Sequence, residues 1–189
     1  MEKKKGKQTY HFANPPVLIS TGTVAGPFEG QGPLHADFDE ILTDPRNNEK
    51  TFEKAERSIL TKACQLALDH ASCSTAEVDL FLAGDLLNQI ISSNFTAVTL
   101  GIPFLGLYGA CSTAALGLGL GAMLLDGGFA GKVLTATVSH NSTAERQYRF
   151  PTEYGAQRRP YQQWTVTGAG AALLGYDRSG PKITAVTFG

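Results

Sequence analysis

From Leu86 to Leu125 the chain carries no Asp, Glu, Lys, Arg or His. A stretch so long without charge must enter a membrane or fill a deep core. A bilayer span needs about 20 consecutive apolar residues. Here Asn88, Gln89, Ser92, Ser93, Asn94 and Pro103 interrupt the run, together with several glycines. Hydropathy therefore argues against insertion, and the stretch reads as helix, strand, helix inside a core.

Composition fits that reading. Hydrophobic residues make up 42% of the 189 and charged residues 17%. That is globular, too apolar for disorder, and enough for one domain with a real core. The net charge of −1 gives no general attraction to nucleic acid or acidic membranes. Lys3, Lys4, Lys5 and Lys7 are the exception. They read either as a solvated tail or as a weak contact for anionic lipid headgroups. Cys64, Cys73 and Cys111 form an odd set without a CxxC pair. This argues against a disulfide framework or zinc site and for a reducing compartment. The charged N-terminus lacks the apolar segment of a secretory signal.

Periodicity supplies the elements. Phe52, Ala55, Ile59, Ala63, Leu66 and Ala67 recur at helical spacing, which predicts a helix over 52–71. Two more helices are expected at 87–100 and 112–126. Short apolar or β-branched runs predict strands at 17–23, 78–83, 104–108, 132–139, 166–176 and 183–188. Residues 28–48, rich in Gly, Pro and Asp, read as a long excursion. The alternation implies an α/β fold: a mixed, mostly parallel five-stranded sheet with helices on both faces. Residues 1–16 read as an N-terminal extension and 17–189 as the folded unit.

The helix at 112–126 has no polar residue beyond its first turn until Asp126. A helix apolar all round is buried on every side. Gly117, Gly119 and Gly121 each cost about 1 kcal/mol relative to alanine in a helix, so another backbone is expected to pack close. One sheet covers one side only. A second half-domain or another subunit is expected on the other.

Cys111 falls on the strand-to-helix turn before that helix. A helix N-terminus offers free N–H groups and partial positive charge. Such a place suits a thiolate nucleophile, an oxyanion or a bound carboxylate. The alternative is a small buried hydrophobe.

The elbow Gly109-Ala110-Cys111-Ser112-Thr113-Ala114, leading into a glycine-rich helix, resembles the nucleophile turn of thiolases and ketoacyl synthases. Thr167-Gly168-Ala169-Gly170 resembles their late glycine-rich strand, but departs from its usual Gly-Asp-Gly-Ala. Three longer stretches are more specific: Phe12-Ala13-Asn14-Pro15-Pro16, Ala83-Gly84-Asp85-Leu86-Leu87-Asn88-Gln89, and the run from Ser139 through His140, Asn141 and Arg146 to Tyr148. They resemble the stage V sporulation protein AD family, along essentially the whole chain. The resemblance implies a thiolase-like half-domain whose second half is absent from this chain. It implies a non-catalytic protein that binds dipicolinic acid, as calcium dipicolinate, for uptake into the developing spore. It further implies an intracellular homodimer or larger homo-oligomer, peripheral at the spore inner membrane through other proteins of the same transport complex. No cofactor is expected, and calcium only as part of the ligand. The alternative is an acyltransferase or condensing enzyme using Cys111 as nucleophile on acyl coenzyme A thioesters. A structural dimer module without a ligand is a third reading.

The residues sort accordingly. An acyltransferase needs a histidine partner for its cysteine. His140, at the end of a central strand, lies where open α/β sheets bind ligands; it also reads as a hydrogen-bonded turn histidine. Dipicolinate carries two carboxylates on a flat ring, which suits the planar fork of arginine and aromatic faces. Arg146, Arg149, Arg158 and Arg159 crowd one segment with Tyr148, Phe150, Tyr154 and Tyr161, which reads either as a ligand cover or as a solvated or interface loop. Asp85, at another strand end, would face a ligand amine, a calcium ion or one of these arginines. The candidate ligand-binding residues are Cys111, Ser112, Asp85, His140, Asn141, Arg146 and Arg149, with no metal site.

Overall fold

The computed structural model of the chain describes residues 3–146 and 165–189. In chain order the strands are β1 (Lys4–Lys5), β2 (Thr9–His11), β3 (Val17–Ala25), β4 (Glu40–Ile41), β5 (Leu80–Gly84), β6 (Phe104–Gly106), β7 (Val133–Ser139), β8 (Gly168–Gly175) and β9 (Ala185–Thr187). The helices are α1 (Phe52–Ala71), α2 (Ile91–Leu100) and α3 (Thr113–Asp126).

α1 has the bounds its periodicity predicts. The Thr51 hydroxyl accepts the Lys54 N–H at 3.3 Å as an N-cap, and Ser72 ends the helix in the left-handed region with φ 49°. α2 starts later than expected. Gln89 and Ile90 have φ of 58° and 49°, so residues 88–90 form a tight turn that delays the helix to Ile91.

The central sheet has six strands in the order β4-β3-β8-β7-β5-β6. Five of the six expected strands are there, and two residues of the excursion, β4, add a sixth to the sheet. β5 is parallel to β6 and β7, and β3 is parallel to β4, whereas β8 is antiparallel to both neighbours, β3 and β7. The strand expected at 183–188 leaves this sheet. Its core, β9, pairs with β2, and β2 with β1, in a separate three-stranded sheet. The lysine-rich start is therefore folded rather than frayed: Lys3 Nζ reaches Asp126 Oδ2 at 2.9 Å.

Strand alternation divides the core between two faces. Phe81, Ala83, Leu134, Ala136, Val138 and Leu173 join the stripe of α1 that holds Ile59, Leu60, Ala63 and Cys64. Cys64 is plain packing, and burial pushes its thiol pKa up. Leu82, Val133 and Leu174 face the other way and meet Leu125 of α3. At β3 the approach to α1 is closest. A Cβ on Gly22 would strike Ala63 O and Ala67 N, so only glycine fits there.

The glycines of α3 mark close packing of two kinds. A Cβ on Gly117 would collide with Thr135 Oγ1 of the sheet, and one on Gly121 would lie 2.8 Å from Leu174 Cδ1. On the outer side, a Cβ on Gly119 would lie 2.6 Å from Val186 Cγ2. The chain's own small sheet thus covers part of the face expected to need a second half-domain or subunit. The cover is incomplete: Ala114 and Ala115 are exposed, and Leu116, Leu118 and Leu120 are half-buried. No helix among the described residues is long and apolar enough to cross a membrane.

Candidate functional site

β3, β5, β6 and β7 run in one direction, so their C-terminal ends share one edge. In open α/β sheets this is where ligands bind. Asp85 follows β5, the turn to α3 follows β6, and His140 follows β7.

The turn is built from backbone. Ala110 sits at φ 45°, unusual for a residue with a Cβ, and residues 110–112 make one 3₁₀ turn. The Ser112 N–H and hydroxyl both donate to Gly109 O, at 2.9 and 2.7 Å. Ser112 therefore spends its hydroxyl locally, and no side chain caps α3. Cys111, Ala114 and Ala115 are exposed around that helix start. Just beneath, Thr113 is buried with its Oγ1 unpartnered. The Ser112 and Thr113 N–H groups are taken by Gly109 O and Ala110 O, so what this 14-residue helix presents at its accessible start is the positive end of its dipole.

The same alternation that divides the core separates the other candidates from this turn. Asp85 continues the Phe81–Ala83 parity and His140 that of Leu134, Ala136 and Val138, so both side chains go to the α1–α2 face. Asp85 accepts the Leu87 N–H at 2.9 Å, the Ser93 N–H at 2.8 Å and the Ser93 hydroxyl at 2.7 Å. It caps α2 from outside the helix, and burial raises its pKa against those hydrogen bonds. His140 is 1% exposed. Its Nε2 donates to Pro45 O at 2.8 Å and its Nδ1 accepts the Ser142 N–H at 3.1 Å. Those partners fix the neutral Nε2–H tautomer, and burial pulls its pKa down. Phe52 packs against it, the ring centroids 5.0 Å apart and the planes tilted by 39°. Both residues are thus engaged structurally, on the face away from Cys111.

Asn141 bridges to the start of β8, its N–H donating to Thr167 Oγ1 at 3.0 Å and its Nδ2 to Thr165 O at 2.7 Å. Arg146 is exposed and pairs with Glu53 Oε1 at 3.2 Å. Arg149, Arg158 and Arg159, with Tyr148, Phe150, Tyr154 and Tyr161, lie outside the described residues. Among the described residues no group of three or more His, Cys, Asp or Glu side chains is placed to hold a metal ion.

One chemically loaded residue escaped the sequence reading. Glu56 of α1 is wholly buried, its Oε2 accepting the Thr143 hydroxyl at 2.6 Å. Burial raises its pKa to about 8. The signal was present, because Glu56 falls four residues after Phe52 and three before Ile59 on the apolar stripe.

A sequence profile described as Stage V sporulation protein AD (SpoVAD) matches residues 6–189. The chain belongs to this family. The Stage V sporulation protein AD of Bacillus subtilis (strain 168) is 45% identical over 187 residues, covering 99% of this chain and 55% of the relative. The chain thus spans about half the length of the SpoVAD relative it matches. Among solved structures, 3-oxoacyl-[acyl-carrier-protein] synthase III from Aquifex aeolicus VF5 matches with a TM-score of 0.60 at 19% identity, over 87% of this chain and 55% of the other. The priming β-ketosynthase of the R1128 polyketide pathway matches with a TM-score of 0.61 at 17% identity, over 93% and 54%. OleA of Xanthomonas campestris matches with a TM-score of 0.56 at 13% identity, over 88% and 57%. At such identities the likeness carries the fold alone, and this chain has the thiolase-like one.

Proposed function

We propose that this chain carries the dipicolinate seat of a non-catalytic sporulation protein, and that the protein takes calcium dipicolinate into the developing spore. The observation that supports this most is the uncapped start of α3 beside exposed Cys111. A ligand carboxylate there would meet the positive end of the helix dipole. Arg146 would have to leave its exposed ion pair with Glu53 of α1 to reach a second carboxylate, a small cost for a surface pair. His140 is committed to Pro45 and Ser142, which favours binding over base-assisted chemistry. Calcium would arrive with the ligand, and other proteins of the transport complex would hold the protein at the spore inner membrane.

Calorimetric titration with dipicolinate, with and without calcium, tests this. Saturable binding is expected, and Ala114→Glu, which puts a competing carboxylate at the helix start, should weaken it about tenfold. Silence toward dipicolinate in the folded wild-type chain would sink the reading. The exposed Cys111 thiol favours a second reading, an acyltransferase. Acylation of Cys111 by acetyl coenzyme A, seen by mass spectrometry, would select it.

We infer that the chain also self-associates. β6 is an edge strand of the central sheet. Leu105 on it, and Phe95 and Val98 on α2, are large apolar side chains left exposed, Val98 by 80%. An open edge flanked by apolar residues suits pairing with a second copy.

A further inference from the structure

The lysine-rich start is a folded tip. Lys4 pairs with Tyr10 and Lys5 with Thr9 across the β1–β2 hairpin, and the turn passes through Gly6 at φ 68°. The hairpin is fixed at its base and along its inner strand. Lys3 Nζ is held by Asp126 Oδ2 and Asp126 O, at 2.9 and 3.1 Å. β2 pairs with β9, and the Phe188 N–H donates to Gln8 O at 3.1 Å. Tyr10 packs on Phe188 with ring centroids 6.1 Å apart. β9 in turn rests on α3, where Val186 meets Gly119.

This anchored tip carries charge that nothing answers. Lys4, Lys5 and Lys7 are exposed, and no acidic side chain among the described residues pairs with any of them. Asp126, the acid at the base, is taken by Lys3 and by the Asn14 N–H. The rest of the chain has the opposite sign, with 13 basic residues (16 less these three) against 17 acidic ones. An anionic surface therefore attracts the tip and repels the remainder, which orients the approach. Lysines also protect open sheet edges. That accounts for Lys4 and Lys5 on the edge strand β1, but not for Lys7 in the turn.

We propose that the β1–β2 hairpin is a contact site for an anionic lipid surface, made through Lys4, Lys5 and Lys7. The shape selects a plane of charge over a single small anion. Successive strand residues point to opposite faces, so Lys4 and Lys5 flank the tip and do not converge on one spot. No atom lies within 4 Å of where a Cβ on Gly6 would stand, so the turn encloses no cleft. Lysine brings a hydrated point charge on a flexible stem, without the planar fork that grips one carboxylate or phosphate. Each such charge near a field of anionic headgroups strengthens partitioning roughly fivefold. The contact needs neither the dipicolinate seat nor a partner protein.

The test is sedimentation of the 189-residue chain with vesicles of phosphatidylglycerol and phosphatidylcholine in equal parts, against vesicles of phosphatidylcholine alone. At low salt the wild type should bind the anionic vesicles only, and about 0.5 M NaCl should release it. The triple variant Lys4→Gln, Lys5→Gln, Lys7→Gln should partition about a hundredfold more weakly, with an unchanged melting temperature. A control triple, Lys50→Gln, Lys54→Gln, Lys182→Gln, removes the same charge from other exposed lysines and should lose less than about fivefold. A wild type that ignores the anionic vesicles overturns the proposal, and so does an equal loss in the two triples. Binding to poly-glutamate without binding to vesicles would assign the lysines to an acidic protein and overturn it as well.

Discussion

The Asp85 carboxylate takes both the backbone N–H and the hydroxyl of Ser93, at 2.8 and 2.7 Å. A side chain after one strand thereby caps the next helix, at a residue eight positions on. Asp85→Ala should cost about 2–3 kcal/mol, because it strands the Leu87 and Ser93 donors in the core. Asp85→Asn keeps one acceptor and should cost about half as much. Urea denaturation of the two variants measures the difference, and equal stability of Asp85→Ala and wild type would remove the capping role.

His140→Ala should lower stability by about 2–3 kcal/mol while leaving ligand affinity of the folded fraction unchanged. Wild-type stability also carries a pH signature. The folded pKa lies below the unfolded 6.5, so the unfolded chain binds the proton first. The contribution is complete above pH 6.5 and is lost as pH falls through the window beneath it. Thermal melts at pH 5 and 7 should show a larger drop for wild type than for the variant.

Glu56 carries the opposite sign. Its folded pKa of about 8 stands above the unfolded 4.5, so the folded chain holds the proton. Relative to Glu56→Gln, the wild type should lose about 1.4 kcal/mol per unit as pH rises from 4.5 toward 8, then level off. A wild-type-to-variant difference that is flat with pH would show that the residue ionises freely in the fold.

Gly117→Ala should destabilise by about 1–3 kcal/mol despite the better helix propensity of alanine, because its Cβ meets Thr135 Oγ1 on a stiff strand. Gly121→Ala meets side-chain ends, Leu174 Cδ1 at 2.8 Å and Val133 Cγ1 at 3.3 Å, and should cost less. Adding Thr135→Ala should recover part of the Gly117→Ala loss and none of the Gly121→Ala loss.

Leu105→Lys, on the exposed edge strand, should shift sedimentation toward monomer without changing the melting temperature of the monomer by more than a degree or two. Unchanged self-association would place the interface elsewhere.

Local signals were legible in the sequence and distant ones were not. α1 was readable to its bounds because its stripe and its Thr51 cap are local. The Cys111 turn was readable because a motif carries it. β1 and β2 carry no local signal, because β2 pairs with β9, at the other end of the chain, and β1 only with β2. α2 was drawn too long because its cap, Asp85, stands six residues before the helix and outside the usual cap position. The opposing faces of Cys111 and His140 were within reach. Counting by twos along β7 from Leu134 places His140 on the α1 side. The carbonyl of Pro45 as its partner could come only from the folded excursion.

β8 has a consequence for how this sheet comes into being. It lies between β3 and β7 and pairs residues 17–25 with 168–175. Until that late strand leaves the ribosome, β3 has only the two residues of β4 beside it, and β5, β6 and β7 form a separate patch. Two fragments wait for one strand to join them. Such long-range pairing is slow to form, and the apolar edges of β3 and β7 stay open meanwhile. Synthesis therefore passes through a stage, before β8 emerges, in which a chaperone has most to hold.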